Sequence, residues 1–473
     1  MDAKRFVVLM ALAAIALPAC ADEEGVALTI YNGGYGVVRE VRELNVPNSG
    51  RVMFTDVAAR IDPTTVHFKS ITDPEAKLLE QNYQYDLVSA DKLLDKYIDR
   101  NIRIETQAGG YSGKLLSYDS GQLVLDLDDG GIAMVRRGEN VRDIRFGELP
   151  EGLLTRPTLV WLVSTDTAGK HLAEVSYQTD GLGWHAEYVF VLDEADTKAD
   201  LSGWVSVDNK SGKTYRDAKL KFIAGDVHRA PRPPAVPRYD GARTGAMAEA
   251  APMEEKAFFE YHMYMLPRPS TVADNEVKQL EMFPTARDVS VTKRFVYRPL
   301  SGFRWNPGRR NTDASAAGGD GKVNVLIEFV NSERNNLGIP LPAGNVRVYK
   351  RDAADDAMEF IGEERIDHTP KDEELSLMIG NAFDLVGERR QTDFKVESRR
   401  NWMSETIEIK LRNRKDDQAV TIDVREPMYR WRNWRITESS HEWEKRDAFN
   451  VEWSVPVEAG EEAVVTYTVE YTW

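Results

Sequence analysis

Cysteine is almost absent from this chain of 473 residues, which has a single one at position 20. One cysteine cannot form an internal disulfide, so a disulfide-stabilised fold is excluded. Cys20 follows two basic residues and an apolar run over residues 6–17. This order predicts a secretory signal over residues 1–20. The sulfur of Cys20 is therefore either a lipid attachment site or is removed with the signal.

Two cleavage sites compete at the end of this signal. Leu17-Pro18-Ala19-Cys20 resembles a lipoprotein box, in which the cysteine is acylated and becomes the new N-terminus. Ala19-Cys20-Ala21 also satisfies the small-x-small rule of ordinary signal peptidase, which would leave Asp22 first. Both predict an exported protein of a Gram-negative bacterium, either periplasmic or an outer-membrane lipoprotein. Ala21 lacks the aspartate associated with inner-membrane retention, which favours the outer membrane.

Long hydrophobic runs and positive charge are also scarce. A membrane-spanning helix needs about 20 apolar residues, and no stretch after residue 20 approaches that length. We therefore expect no transmembrane span and membrane contact through a lipid anchor only. Lys and Arg number 61 against 77 Asp and Glu, a formal net charge of -16. Such an acidic chain repels phosphate backbones, so nucleic acid is not an expected partner.

The sequence motifs of common enzymes are missing as well. The chain contains no His-Glu-x-x-His, no Gly-x-Ser-x-Gly and no Gly-x-x-x-x-Gly-Lys. The seven histidines stand singly. We therefore assign no catalytic residue, cofactor or metal ligand and interpret the chain as non-enzymatic. The alternative is a hydrolase or metal-dependent enzyme with a dispersed site, which would bring His185, His262 or His441 together with carboxylates.

Alternating apolar and polar residues dominate the rest of the chain, which is the period of half-buried strands. The predicted fold class is all-β, with β-sandwich modules, a small inserted SH3-like or Sm-like barrel and few short helices. Residues 21–88 read as an N-terminal β-meander. Residues 89–150 read as the barrel, preceded by a short helix capped by Ser89 or Asp91. Its five strands are expected at residues 101–105, 111–116, 122–127, 133–136 and 141–144.

A change in composition divides the remaining sequence. Residues 228–256 are rich in proline and alanine, and such chain lacks donors for a sheet. We predict a flexible loop there. It separates two strand-rich parts, residues 151–227 and residues 257–473, which we interpret as the first and second parts of one β region.

Several short sequence segments in these two parts match a known family. They are Tyr177-Gln178-Thr179-Asp180-Gly181-Leu182-Gly183-Trp184, Glu260-Tyr261-His262-Met263-Tyr264-Met265-Leu266-Pro267, Asp274-Asn275-Glu276-Val277-Lys278, Pro340-Leu341-Pro342-Ala343-Gly344-Asn345 and the ending Tyr471-Thr472-Trp473. Together they resemble bacterial envelope proteins that carry domain of unknown function 4139, a region also found at the C-terminus of mucoidy-inhibitor-like proteins. The resemblance spans roughly residues 155 to 473. It implies an envelope location and no catalytic residue. In mucoidy-inhibitor-like proteins a long coiled coil precedes this region. This sequence has no such coiled coil, and the predicted small barrel occupies that position.

One cluster suggests a ligand surface. Tyr429, Arg430, Trp431, Arg432, Trp434 and Arg435 mix aromatic rings with guanidinium groups. Such groups can stack on a sugar or hold an anionic head group. In an extended strand Trp431 and Trp434 would face opposite sides, which favours a structural ladder of Trp and Arg instead. Our leading hypothesis is a binding or scaffold lipoprotein of the cell envelope, with an envelope protein or polymer as its partner.

Overall fold

The computed structural model describes residues 24–86, 89–138, 141–148, 150, 153–225, 253–258, 261–301, 309–314, 319–352, 354–355 and 357–473. These ranges form 30 β-strands, one α-helix and two short 3-10 turns, which confirms the all-β class. The predicted signal with Cys20 and nearly all of the Pro/Ala-rich segment lie outside the described residues. Within those ranges, none of the helical segments has the length and apolar character that crossing a membrane requires.

The first half of the chain contains fifteen strands and the helix. They are β1 (Gly25–Tyr31), β2 (Tyr35–Val46), β3 (Ser49–Thr55), β4 (Ile61–Ser70), β5 (Lys77–Gln84), α1 (Ala90–Lys96), β6 (Asn101–Thr106), β7 (Gly109–Tyr118), β8 (Gln122–Leu127), β9 (Ile132–Arg136), β10 (Val141–Arg145), β11 (Thr158–Ser164), β12 (Gly169–Asp180), β13 (Leu182–Leu192), β14 (Lys198–Asn209) and β15 (Tyr215–Ala224).

The second half contains the other described strands. They are β16 (Glu254–Phe258), β17 (Tyr261–Met265), β18 (Ser270–Val272), β19 (Glu276–Ser290), β20 (Thr292–Tyr297), β21 (Lys322–Val330), β22 (Gly344–Arg351), β23 (Met358–Ile366), β24 (Glu374–Glu397), β25 (Trp402–Asn413), β26 (Val420–Pro427), β27 (Trp434–Ser439), β28 (Glu444–Lys445), β29 (Asn450–Val457) and β30 (Glu462–Thr472).

The N-terminal strands join sheets with later parts of the chain. β1 and β2 pair antiparallel as a hairpin, but β1 also pairs parallel with β15. β12 lies between β2 and β4, and β11 lies between β3 and β5. Apart from the β1–β2 hairpin, the strands of residues 24–86 therefore pair with later strands and not, as those of a separate meander would, with one another. They pair instead, side by side within two sheets, with β11, β12 and β15 of residues 153–225.

The region predicted as a barrel, residues 89–150, contains α1 and a five-stranded antiparallel sheet. Ser89 caps α1, since its side chain accepts a hydrogen bond from the Lys92 N–H. Strands β6 to β10 follow within a residue or two of their predicted positions, in the antiparallel order β10-β6-β7-β8-β9. Their inward side chains make a core of their own around Ile104, Leu115 and Leu125. The helix and the five strands are thus confirmed.

The first large core lies between three sheets. They are the eight-stranded sheet that contains β1, β2 and β12, the three-stranded sheet of β3, β11 and β5, and the five-stranded sheet β19-β14-β13-β22-β23. Trp161 and Tyr188 are fully buried between them, and Trp184 is almost so. Side chains alternate between the two faces of a strand, so one face of each strand supplies the core. Accordingly, nearly every second residue of β12 and β14 is buried.

The second large core is enclosed by a single nine-stranded sheet, in the order β27-β30-β25-β24-β21-β20-β26-β29-β28. Trp453 and Tyr467 pack together inside it in a tilted arrangement, with ring centres 4.8 Å apart. The two ends of the sheet meet, because Trp434 of β27 donates a hydrogen bond to the Ala448 carbonyl just before β29, at 2.9 Å. The sheet therefore folds over into a sandwich.

Two strands connect the two large cores. In β21, Val323 belongs to the second core and Phe329 to the first. In β24, which has 24 residues, Leu377 belongs to the first core and Leu385 to the second. The two large cores are therefore joined by continuous strands.

Candidate ligand-binding site

The predicted ligand patch divides into buried and accessible residues. Tyr429 and Arg430 are buried, at 2% and 0% exposure. The Arg430 Nε donates a hydrogen bond to Glu405 at 2.7 Å, and the Tyr471 hydroxyl donates to the other oxygen of the same carboxylate at 3.3 Å. Arg430 thus pairs with a carboxylate inside the second core and does not face a ligand.

The accessible members lie on a surface that also includes residues remote in sequence. The segment before Trp434 is not an extended strand, since β27 begins at that residue. Two guanidinium groups lie near the half-buried ring of Trp431, with ring centre to Cζ distances of 5.9 Å for Arg310 and 4.7 Å for Arg432. Arg435 pairs with Glu470 at 3.2 Å. Trp431, Arg432 and Trp434 therefore remain candidate ligand contacts.

A cleft with three arginines lies at one end of the second sandwich. β20 and β26 run parallel, with Tyr297 opposite Val424. Parallel strands end at the same edge of a sheet, so Arg298, directly after β20, comes close to Arg425. The turn between β28 and β29 adds Arg446. The cleft has a volume of about 340 Å³. We call it the arginine cleft; it is lined by Arg298, Leu300, Ser301, Arg425, Pro427, Arg446, Asp447, Asn450 and Val451.

Positive charge in the arginine cleft is only partly neutralised. Glu452 accepts a hydrogen bond from the Arg425 Nε at 2.5 Å, and its other oxygen lies 3.5 Å from the Arg446 Nη1. Half-buried Arg298 has no ion-pair partner among the described residues. Burial, and then the neighbouring Arg425 guanidinium, lower the pKa of Arg298. The carboxylates of Glu328 and Glu452 act on it only weakly and in the opposite direction. An arginine stays charged at neutral pH, so the cleft presents a guanidinium that makes no direct ion pair within the described ranges.

The aspartate of the cleft is engaged in holding the turn. One Asp447 oxygen accepts hydrogen bonds from the backbone N–H groups of Phe449 and Asn450, at 2.7 and 2.9 Å, and the other accepts from the Asn450 side chain. These bonds lower the pKa of Asp447, the Phe449 N–H most of all. The carboxylate is therefore committed to the β28–β29 turn that positions Arg446.

A second, open depression of about 870 Å³ borders the cleft. We call it the polar groove; it is lined by Ser439, Ser440, His441, Glu442, Trp443, Glu444, Glu452 and Ser454. Glu452 is shared, because its carboxylate lines the groove and also binds two arginines of the cleft. The two depressions are therefore neighbours.

The polar groove offers acceptors and an aromatic ring. Glu442 and Glu444 are exposed, and neither has a hydrogen-bond or ion-pair partner within the described part of the chain. Trp443 is half-buried against the second core, with its ring centre 6.2 Å from that of Trp434. Ser440 Oγ lies 2.9 Å from His441 Nδ1 and accepts the Thr466 N–H. The groove is acidic, in contrast to the arginine cleft.

The histidines of the enzyme alternative lie in different places. His185 of β13 is 3.2 Å from Glu187. His262 of β17 lines a smaller cleft of about 140 Å³ together with His368. His441 lies in the polar groove. Nowhere in the described ranges do three His, Cys, Asp or Glu side chains gather in a way that could hold a metal ion.

Comparison with known proteins identifies a family. No curated protein matches the chain. A family model described as "Domain of unknown function (DUF4139)" matches residues 173–473, the part that contains the arginine cleft and the polar groove. This agrees with the resemblance found in the sequence, and the match covers more than half of the chain. The protein belongs to the DUF4139 family.

Proposed function

We propose that this protein is a non-enzymatic binding protein of the bacterial cell envelope that holds an anionic group of its partner in the arginine cleft. Half-buried Arg298 is the observation that carries the proposal. It makes no direct ion pair with any described residue, and a charge that is partly removed from water without such a pair costs stability. Its presence beside Arg425 and Arg446 is better explained by binding than by folding, because guanidinium groups bind carboxylates and phosphates through paired hydrogen bonds.

The cellular setting of the proposal follows from the N-terminal sequence. The basic and apolar order of residues 1–20 supports export, and acylation of Cys20 would tether the protein to the outer membrane. An envelope protein or polymer would then be within reach of the arginine cleft. The small module of β6 to β10 has its own core and is a candidate for docking a scaffold partner.

The test is binding of small anions to the purified full-length chain. Titration with inorganic phosphate and with glucuronate, followed by NMR of the arginine Nε–H signals, should show saturable binding at millimolar concentration. Arg298→Gln should abolish that binding. Arg399→Gln is the matched control, because Arg399 is exposed on the same sandwich and has no ion-pair partner within the described ranges. Equal titrations of wild type and Arg298→Gln would refute the proposal.

One contact favours the second candidate, a hydrolase. Ser440 Oγ lies 2.9 Å from His441 Nδ1 in the polar groove, as a nucleophile and its base would. The Thr466 N–H donates to the same oxygen, and no carboxylate in the described ranges pairs with the imidazole to orient it. Binding is therefore the better supported function. Hydrolysis of p-nitrophenyl acetate that disappears in Ser440→Ala would reverse this order.

A further inference from the structure

We infer that the arginine cleft and the polar groove form one site for an acidic glycan, in which a charged sugar enters the cleft and a neutral sugar enters the groove. This inference rests on the proposed function, because it takes the arginine cleft as the anion site. It adds the chemical class of the ligand and a second set of contacts.

The two depressions adjoin across the short strand β28. Glu444 of that strand, which lines the groove, pairs in register with Glu452 of β29. The next residue, Lys445, pairs with Val451, which lines the cleft. Arg446 follows at once. One bound ligand that contacts both the groove and the cleft would therefore span only two or three residues of the β28–β29 hairpin.

The polar groove has the groups that a neutral sugar needs. Sugar hydroxyls donate hydrogen bonds, and the exposed carboxylates of Glu442 and Glu444 accept them without giving up a partner in the described part of the chain. Trp443 supplies a ring whose negative face suits the C–H face of a sugar. The same carboxylates repel anions, so a charged sugar is excluded from the groove.

The opposite charges of the two depressions narrow the choice of ligand. A uniform polyanion would be attracted by Arg298 and repelled by Glu442 and Glu444. A neutral glycan would leave the Arg298 guanidinium without a direct ion pair among the described residues. A glycan in which acidic and neutral sugars alternate satisfies both depressions at once.

The test compares three probes on the full-length chain. These are glucuronate, a hyaluronan hexasaccharide in which glucuronate alternates with N-acetylglucosamine, and neutral chitohexaose. The hexasaccharide should bind at least about tenfold more tightly than glucuronate, because its second contact is intramolecular. Trp443→Ala and Glu442→Gln should lose this gain and keep glucuronate binding. Glu442→Gln removes only an exposed charge, so it remains informative if the tryptophan variant unfolds.

Glu438→Gln is the matched control, because Glu438 is exposed on β27 outside the groove and should leave the gain intact. Equal affinity for the hexasaccharide and glucuronate would overturn the glycan inference and leave the proposed anion site standing. Chitohexaose binding that is tight and indifferent to Arg298→Gln would overturn the joint site. Absence of glucuronate binding would overturn the proposed function itself.

Discussion

Glu426→Gln should destabilise the second sandwich strongly. Glu426 is fully buried and accepts hydrogen bonds from the Arg389 Nε at 2.9 Å and from the Tyr467 hydroxyl at 3.0 Å. The amide keeps the shape of the side chain but removes the negative charge that faces the buried Arg389 guanidinium. Removing one partner of a buried pair costs about 3–5 kcal/mol. This corresponds to a more than about hundredfold change in the local folding equilibrium.

Native-state hydrogen exchange of the β25 and β26 amides is the suitable assay, because a chain with two large cores need not unfold in one step. The control is Glu470→Gln, which breaks the exposed pair with Arg435 on β27. Exposed pairs contribute less than about 1 kcal/mol, so this variant should exchange almost as the wild type does. A loss below about 1 kcal/mol in Glu426→Gln would refute the reasoning, since the pair would then behave as if it were solvated.

Three smaller changes have defined outcomes. Ser89→Ala removes a helix cap and should cost the five-stranded module about 1 kcal/mol, measured by hydrogen exchange of its strands. Gly344→Ala would place a Cβ 2.2 Å from the Ala186 carbonyl oxygen, so β13 and β22 must separate and the melting temperature should fall. Asp447→Asn removes a carboxylate whose pKa is lowered mainly by the Phe449 N–H. That stabilisation is present above the unfolded pKa and is lost as pH falls through the folded pKa, so urea unfolding should distinguish variant from wild type near pH 7 and not at strongly acidic pH.

The features that the sequence predicts well are those decided by neighbouring residues. A serine directly before a helical pattern identifies the start of α1, because its side chain satisfies an N–H within the first turn. Alternation and Gly-rich turns place β6 to β10 almost to the residue, because antiparallel hairpins join strands that are adjacent in the chain. The all-β class follows from the same alternation.

Pairing between distant strands could not be predicted in this way. The parallel contact of β1 with β15 joins segments almost 200 residues apart, and alternation does not specify which strand covers which. Arg298 and Arg425 meet for the same reason, through the parallel pair of β20 and β26. The predicted ligand patch around Arg430 is visible in the sequence because its residues are adjacent in the chain. Its buried arginine depends on Glu405 of β25, which the local sequence does not indicate.

The buried pair of Glu426 with Arg389 is linked to the arginine cleft because side chains along β26 alternate between the two faces of the sheet. On β26, Glu426 points into the second core and Arg425, its neighbour, points to the arginine cleft. A buried ion pair adds little net stability compared with apolar residues, but a shift of register that separated the pair would leave a buried charge unpaired at a high cost. By fixing Glu426 against Arg389, the core fixes which face of β26 carries Arg425. Arg425 is thereby placed by the register of β26, and in the proposed anion site its backbone would need little further ordering on binding.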